Sequence, residues 1–211
     1  MRHMTIAALL ALAISGTAMG DMLVTMNATP PGGTGSPYTA TIASGSDPVA
    51  GWTHPSTFET FCVEANEFFN PGVTYKVASI DLFAIEGGPP VGQNDPLDIR
   101  TAWVYVGWLD NLFDKAVFSA AEVQNVVHAI EGEATLATGD ATTLYNMATT
   151  GVTQGTWAAG NYHGVAVMNL VTIQGGSLVQ SNLVRAVPAP GAAILGALGL
   201  GVVTWLKRRF A

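Results

Sequence analysis

The sequence has a single cysteine and very little charge. Only 11% of its 211 residues are charged, and eight of these are Lys or Arg. One cysteine cannot form an internal disulfide, and so few basic residues do not supply the positive surface that binds a phosphate backbone. We therefore expect neither a disulfide framework nor a nucleic-acid partner.

Motifs of common enzyme classes are also missing. The chain has no Gly-x-Ser-x-Gly elbow and no phosphate-binding loop, and its histidines lack the close spacing of a zinc site. Glu131 and Glu133 are two residues apart, so they would not share a helix face as a hydrolytic carboxylate pair. Asn94, Asp95 and Asp98 offer oxygen ligands to calcium, but helix capping explains Asp98 as well. We expect no turnover enzyme, metal or cofactor.

The C-terminal segment has three parts in series. These are Val187, Pro188, Ala189 and Pro190, then an uncharged apolar run over 191–206, then Lys207, Arg208 and Arg209. As a helix the apolar run would span roughly 24 Å, somewhat less than the ~30 Å hydrocarbon layer. The basic end predicts that the C-terminus faces the cytoplasm. The alternative is a buried core helix, but such helices seldom end in three consecutive cations.

The N-terminus predicts export. Arg2 and His3 precede an apolar stretch over 5–14, and Ala18-Met19-Gly20 supplies small residues for a signal peptidase. We therefore predict three parts. They are a signal peptide at 1–20, an extracytoplasmic domain at 21–186, and a membrane-sorting tail at 187–211.

The tail resembles the PEP-CTERM sorting signal, in which Pro-Glu-Pro precedes a transmembrane helix and an arginine-rich end. This chain has Ala189 where that family usually has Glu. The resemblance implies an exosortase-type partner that processes the tail at the membrane. It also implies a final location on the outer surface, or in the extracellular matrix, of a Gram-negative bacterium.

The exported domain is strongly acidic. Fifteen acidic residues against Lys76, Arg100, Lys115 and Arg185 leave it with a formal charge of −11. Such acidity is typical of soluble exported proteins, and it disfavours a nucleic-acid partner. A polysaccharide or an amine-bearing surface molecule is the ligand that we expect.

Hydrophobic periodicity predicts an α+β domain, β-rich, with a helical insert of two to three helices. Ser119 and Glu122 form a capping box, and Asp98 precedes another helical pattern. The predicted strands lie near 22–28, 38–43, 57–64, 73–80, 165–173 and 177–184, and the predicted helices over 98–113, 119–130 and 140–148.

Cys62 is the exceptional residue of this domain, because it is a free thiol in an oxidising compartment. Three interpretations are open. The thiol is buried and inert in a strand, it forms an intermolecular disulfide, or it is chemically masked.

Masking is suggested by a second resemblance. Phe61-Cys62-Val63, together with Val123-Gln124 on a helix, resembles the paired motifs of thioester domains in bacterial surface adhesins. The resemblance implies a bond between the Cys62 sulfur and the Gln124 side-chain carbonyl, formed with loss of ammonia. His128 stands where that family carries Trp, one helical turn from Gln124, and an imidazole there could act as a general base. The overall expectation is an exported surface protein, either a covalent adhesin or a non-covalent, carbohydrate-binding matrix component.

Overall fold

A computed structural model of the chain describes residues 21–28, 36–45, 52–53, 55–85 and 94–188. Within them three helices pack against a curled antiparallel sheet. The predicted mixture of helices and strands is confirmed. Along the described part of the chain, no helix is both long and apolar enough to cross a membrane.

The predicted signal peptide at 1–20 and the tail from Ala189 onward, with Pro190, Lys207, Arg208 and Arg209, lie outside the described residues.

The described strands and helices follow the predicted order, with four short strands added. The strands are β1 Leu23–Ala28, β2 Tyr38–Ser44, β3 Trp52–Thr53, β4 Thr57–Thr60, β5 Val73–Asp81, β6 Phe83–Ala84, β7 Asp95–Pro96, β8 Val165–Val171, β9 Leu178–Arg185 and β10 Val187–Pro188. The helices are α1 Ile99–Leu109, α2 Ala120–Ile130 and α3 Asp140–Gly151. Two-residue strands leave no periodicity to detect, so the sequence did not predict them.

The main sheet has six strands in the order β4-β2-β1-β5-β8-β9. It curls so far that the segment after β4 reaches the opposite edge. The Val63 amide donates to the Ser181 carbonyl at 3.0 Å, and the Leu183 amide donates to the Phe61 carbonyl at 2.9 Å. Cys62 lies between these bonds, opposite Asn182 of β9. The predicted strand at 57–64 therefore ends early as a partner of β2 and continues as a partner of β9.

Side-chain alternation through this crossing divides the core into two clusters. Phe61 and Val63 face the three helices, whereas Cys62 faces the inside of the curled sheet. The cluster around Cys62 contains Met22, Val24, Met26, Ala40, Phe69, Tyr75, Val77, Ile80, Met168, Leu170 and Val184. The backbone of residues 61–63 therefore separates the two clusters, and the Cys62 side chain belongs to the inner one.

Helix α1 begins as predicted and ends earlier than predicted. The Asp98 carboxylate caps it by accepting from the Arg100 amide at 2.8 Å. The predicted end at Phe113 is wrong, because Asn111 adopts a positive φ of 53° and the Leu112 amide bonds to the Gly107 carbonyl at 2.9 Å. Phe113 consequently folds back over the helix.

Gly107 makes this fold-back possible. A Cβ atom at position 107 would overlap the ring of Phe113, which is buried. We expect Gly107→Ala to lower the free energy of unfolding by about 1–2 kcal/mol, because the overpacking cost exceeds the gain in helix propensity. Urea unfolding measures this change. In the Phe113→Leu background the same substitution should cost less, and equal costs in the two backgrounds would contradict the explanation.

Candidate functional site

The candidate site lies where pairing between β2 and β4 stops. Tyr38 pairs with Thr60 in the last step of the ladder, so its continuation would put Ser36 opposite Cys62. The ladder with β2 ends before that position, while residues 61–63 bond to β9 on their other side. The backbone N–H and carbonyl of Cys62 therefore face helix α2 and not a neighbouring strand.

The carboxamide of Gln124 fills that opening. Its Oε1 accepts from the Cys62 amide at 3.0 Å, and its Nε2 donates to the Cys62 carbonyl at 2.7 Å. These two bonds define which end of the carboxamide is oxygen, since a backbone N–H requires an acceptor and a backbone carbonyl requires a donor. The side chain of Gln124 thus pairs with Cys62 as a neighbouring strand would.

Ser36 supplies a second donor to the same oxygen. Its hydroxyl donates to Gln124 Oε1 at 2.6 Å, across 88 residues of sequence. The carbonyl oxygen of Gln124 therefore has two hydrogen-bond donors, the Ser36 hydroxyl and the Cys62 amide. Two converging donors polarise a carbonyl and favour negative charge on its oxygen.

His128 contacts the nitrogen end of the same carboxamide. Its Nε2 is 2.8 Å from Gln124 Nε2, one turn along α2. The imidazole also bonds to the backbone carbonyl of Glu64. Because burial lowers the pKa of His128, outweighing the raising effects of Glu133 and of the Glu64 bond, the ring is neutral at pH 7. Neutral Nε2 then accepts from the Gln124 amide, and the other ring nitrogen carries the proton.

The thiol of Cys62 faces the inside of the curled sheet. The residue is 2% exposed, and Sγ is 3.7 Å from the Asn182 Oδ1. Burial raises the pKa of the thiol well above its usual range, although a hydrogen bond from Tyr38 opposes the shift. Its depth makes it poorly placed for an intermolecular disulfide. The thiol is protonated at rest, so any reaction of sulfur must include removal of that proton.

Three glutamates, Glu64, Glu131 and Glu133, lie on the segments that flank the site. The backbone carbonyl of Glu64 bonds to His128, while its carboxyl group accepts from the Ser181 amide at 3.1 Å. Glu131 accepts from the Asp98 amide at 3.3 Å, and Glu133 accepts from the Ala65 amide at 3.4 Å. The Glu64 carbonyl and the Glu133 carboxylate thus join the segment after Cys62 to α2 and the residues that follow it, whereas Glu131 joins the end of α2 to the start of α1. The described residues contain no group of three His, Cys, Asp or Glu side chains arranged to hold a metal ion.

The structure brings together Cys62, Gln124 and His128 and adds three residues that the sequence did not predict. These are Ser36, Tyr38 and Asn182. Ser36 could have been identified from the register of β2 against β4, but the residue patterns of these two strands do not determine that register. Of the sorting motif, Val187 and Pro188 form β10, which pairs with β3.

No protein-family model, curated protein or solved structure matches this chain.

Proposed function

We propose that this chain is an exported surface or matrix protein that captures its ligand covalently through an internal thioester between Cys62 and Gln124. The observation that carries the proposal is the pairing of the Gln124 carboxamide with the backbone of Cys62, at 3.0 and 2.7 Å. This pairing joins an acyl group to the backbone of the residue that carries the single thiol of the chain.

The orientation of the two groups supports the chemistry. Backbone hydrogen bonds lie in the plane of a sheet, whereas side chains project from it. The carboxamide that bonds to the Cys62 backbone therefore lies near the sheet plane, and the thiol projects to one side of that plane. A nucleophile must approach a carbonyl carbon from its face, and the thiol projects toward one of the two faces of that plane.

The reaction is a condensation within the chain. The sulfur bonds to Cδ of Gln124, the bond from Cδ to Nε2 breaks, and the thiol proton leaves with that nitrogen as ammonia. A ligand amine then attacks Cδ, forms an amide with the protein and releases the Cys62 thiol. Each molecule reacts once, so the protein is a capture device and not a turnover enzyme.

An amine-bearing ligand suits the charge of the exported domain. Each basic residue of the described chain is already paired with an acid. The pairs are Lys76 with Asp21, Arg100 with Asp98, Lys115 with Glu59, and Arg185 with Asp110. The exported domain as a whole has a formal charge of −11, and this charge favours a cationic amine over an acidic polysaccharide as the ligand.

Export and sorting belong to the same proposal. The predicted signal peptide and the PEP-CTERM-like tail would place the domain outside the inner membrane, with an exosortase-type enzyme acting on the tail. A thioester suits that location because it keeps sulfur from oxidation until a ligand arrives.

A second candidate follows from the same contact. The bidentate bond satisfies the backbone amide and carbonyl of Cys62 completely, which is sufficient reason for Gln124 to be there. In that case Cys62 is an inert core residue, and the protein is a non-covalent matrix or carbohydrate-binding component.

The intact mass of the freshly purified, nonreduced full-length chain distinguishes the two candidates. We expect wild-type protein to be one ammonia lighter than the mass calculated for the same polypeptide termini with unmodified Cys62 and Gln124, and to gain one methylamine on treatment. Cys62→Ala and Gln124→Ala should have the full mass of their sequences and should not react.

The matched control is Gln154→Ala, because Gln154 is an exposed glutamine after α3. This variant should keep the mass deficit. A wild-type chain of full mass, with a thiol that labels only after unfolding, would refute the thioester and leave the non-covalent candidate.

A further inference from the structure

We propose that Ser36 and His128 are the catalytic pair of this site, with Ser36 stabilising the oxyanion and His128 transferring the proton at the nitrogen that leaves or arrives. This inference rests on the proposed thioester function. It assigns roles to the two side chains that touch the reacting atoms of Gln124 besides Cys62 itself.

The role of Ser36 follows from the change in charge at Oε1. When sulfur or an amine adds to Cδ, the carbonyl oxygen becomes an oxyanion in the tetrahedral intermediate. The Ser36 hydroxyl at 2.6 Å and the Cys62 amide at 3.0 Å are already directed at that atom. Donors placed before the reaction stabilise the developing charge without reorganisation, and one such donor contributes about 100-fold or more to the rate.

The role of His128 follows from its contact with Nε2. An amide nitrogen leaves poorly unless it receives a proton, and His128 Nε2 is 2.8 Å from that nitrogen. As sulfur adds, the imidazole accepts the proton that the thiol gives up. It then donates this proton to the departing nitrogen, so that ammonia leaves and His128 is neutral again.

Capture of a ligand uses the same positions in reverse. The incoming amine occupies the place that ammonia left, beside His128, and transfers its proton to the imidazole as it bonds to Cδ. His128 returns the proton to the sulfur as the thioester bond breaks. Ser36, Gln124 and His128 are only partly buried, whereas Cys62 is 2% exposed. The ligand therefore approaches from the helix side and the sulfur leaves toward the sheet interior.

The test compares full-length wild type with Ser36→Ala and His128→Gln. Two quantities are measured by mass spectrometry, the fraction of fresh protein lacking one ammonia and the rate of methylamine addition. We expect each variant to lose on the order of 100-fold in rate, or to retain its ammonia. Ser36→Thr keeps a hydroxyl and should retain most of the activity. Ser56→Ala and His163→Ala, at exposed and half-buried positions away from the site, serve as matched controls.

A pH series separates proton transfer from mere packing. The ratio of the wild-type rate to the His128→Gln rate is taken at each pH, so that protonation of methylamine cancels. Only neutral His128 accepts a proton, so the ratio should fall as the pH drops through the pKa of His128. Burial places that pKa below the ordinary value, while Glu133 and the Glu64 carbonyl on the neighbouring segments oppose the shift.

The outcomes separate the two proposals. If wild type has its full mass, the thioester fails and this inference fails with it. If wild type forms the thioester and either variant matches its mass deficit and rate, the thioester stands and that residue is not catalytic. A slow His128→Gln variant whose ratio to wild type does not change with pH would also overturn the role of His128.

Discussion

Raising the pH from about 4.5 to about 8 should lower the free energy of unfolding by several kcal/mol. Burial raises the pKa of Glu64 and of Glu131 from 4.5 to about 8, and a hydrogen bond that protonated Glu64 donates to Glu67 adds to the shift of Glu64. The folded chain therefore binds more protons than the unfolded chain throughout this range. The stability that protonated Glu64 and Glu131 contribute is fully present below about pH 4.5 and is lost as the pH rises to about 8.

Urea unfolding over a series of pH values measures this effect. Glu131→Gln keeps an acceptor for the Asp98 amide and removes the titrating group, so its stability should fall less steeply with pH than that of wild type. Glu64→Gln should behave in the same way. Asp140→Asn removes a carboxyl group from an exposed position and is the matched control. Parallel curves for wild type and Glu131→Gln would show that Glu131 ionises normally in the folded protein.

Phe61→Ala should destabilise the protein by about 3–5 kcal/mol, the usual cost of removing a buried aromatic ring. Phe61 is fully buried and makes edge contacts with Tyr105 and Trp108, at ring-centroid distances of 6.4 and 5.4 Å. The large cost is expected because the ring joins helix α1 to the segment that closes the sheet. A cavity there also removes packing beside Cys62.

Thermal and urea unfolding measure the loss, and Phe68→Ala is its matched control. Phe68 is 76% exposed, so its removal should change the free energy of unfolding by no more than about 0.5 kcal/mol. Similar costs for the two substitutions would contradict the position of Phe61 in the core.

Local signals predicted the helices well. The capping box of Ser119 and Glu122 and the cap at Asp98 are confirmed, because each depends on residues close in sequence. The predicted end of α1 at Phe113 was wrong, because Phe113 is apolar and its spacing continues the helical pattern. Its actual position depends on the turn at Asn111 and on the space above Gly107.

The candidate site was only partly predictable. Cys62 and Gln124 were paired through short motifs, and their side-chain to backbone contact stands in the structure. Ser36 follows a Gly- and Pro-rich stretch, and its residue type there is typical of a loop. Its contact with Gln124 depends on the strand register, which no local pattern contains.

The sequence also did not predict that carboxyl groups would be buried. Glu131 lies at the end of α2 next to Gly132, a position that usually faces solvent. In the structure, Glu131 is 9% exposed and accepts from the Asp98 amide. A single sequence cannot distinguish such a carboxyl group from a surface one, because its burial depends on how α1 packs against α2.

The crossing of residues 61–63 to β9 also determines when the site can exist. Ser36 is 88 residues from Gln124, Cys62 is 62 from Gln124 and 120 from Asn182. Contacts between such distant segments form late in folding, after the intervening chain has lost its freedom. In the unfolded polypeptide, Cys62 therefore carries an ordinary thiol and Gln124 an ordinary amide. The proposed thioester can therefore form only after folding has brought the two residues into contact.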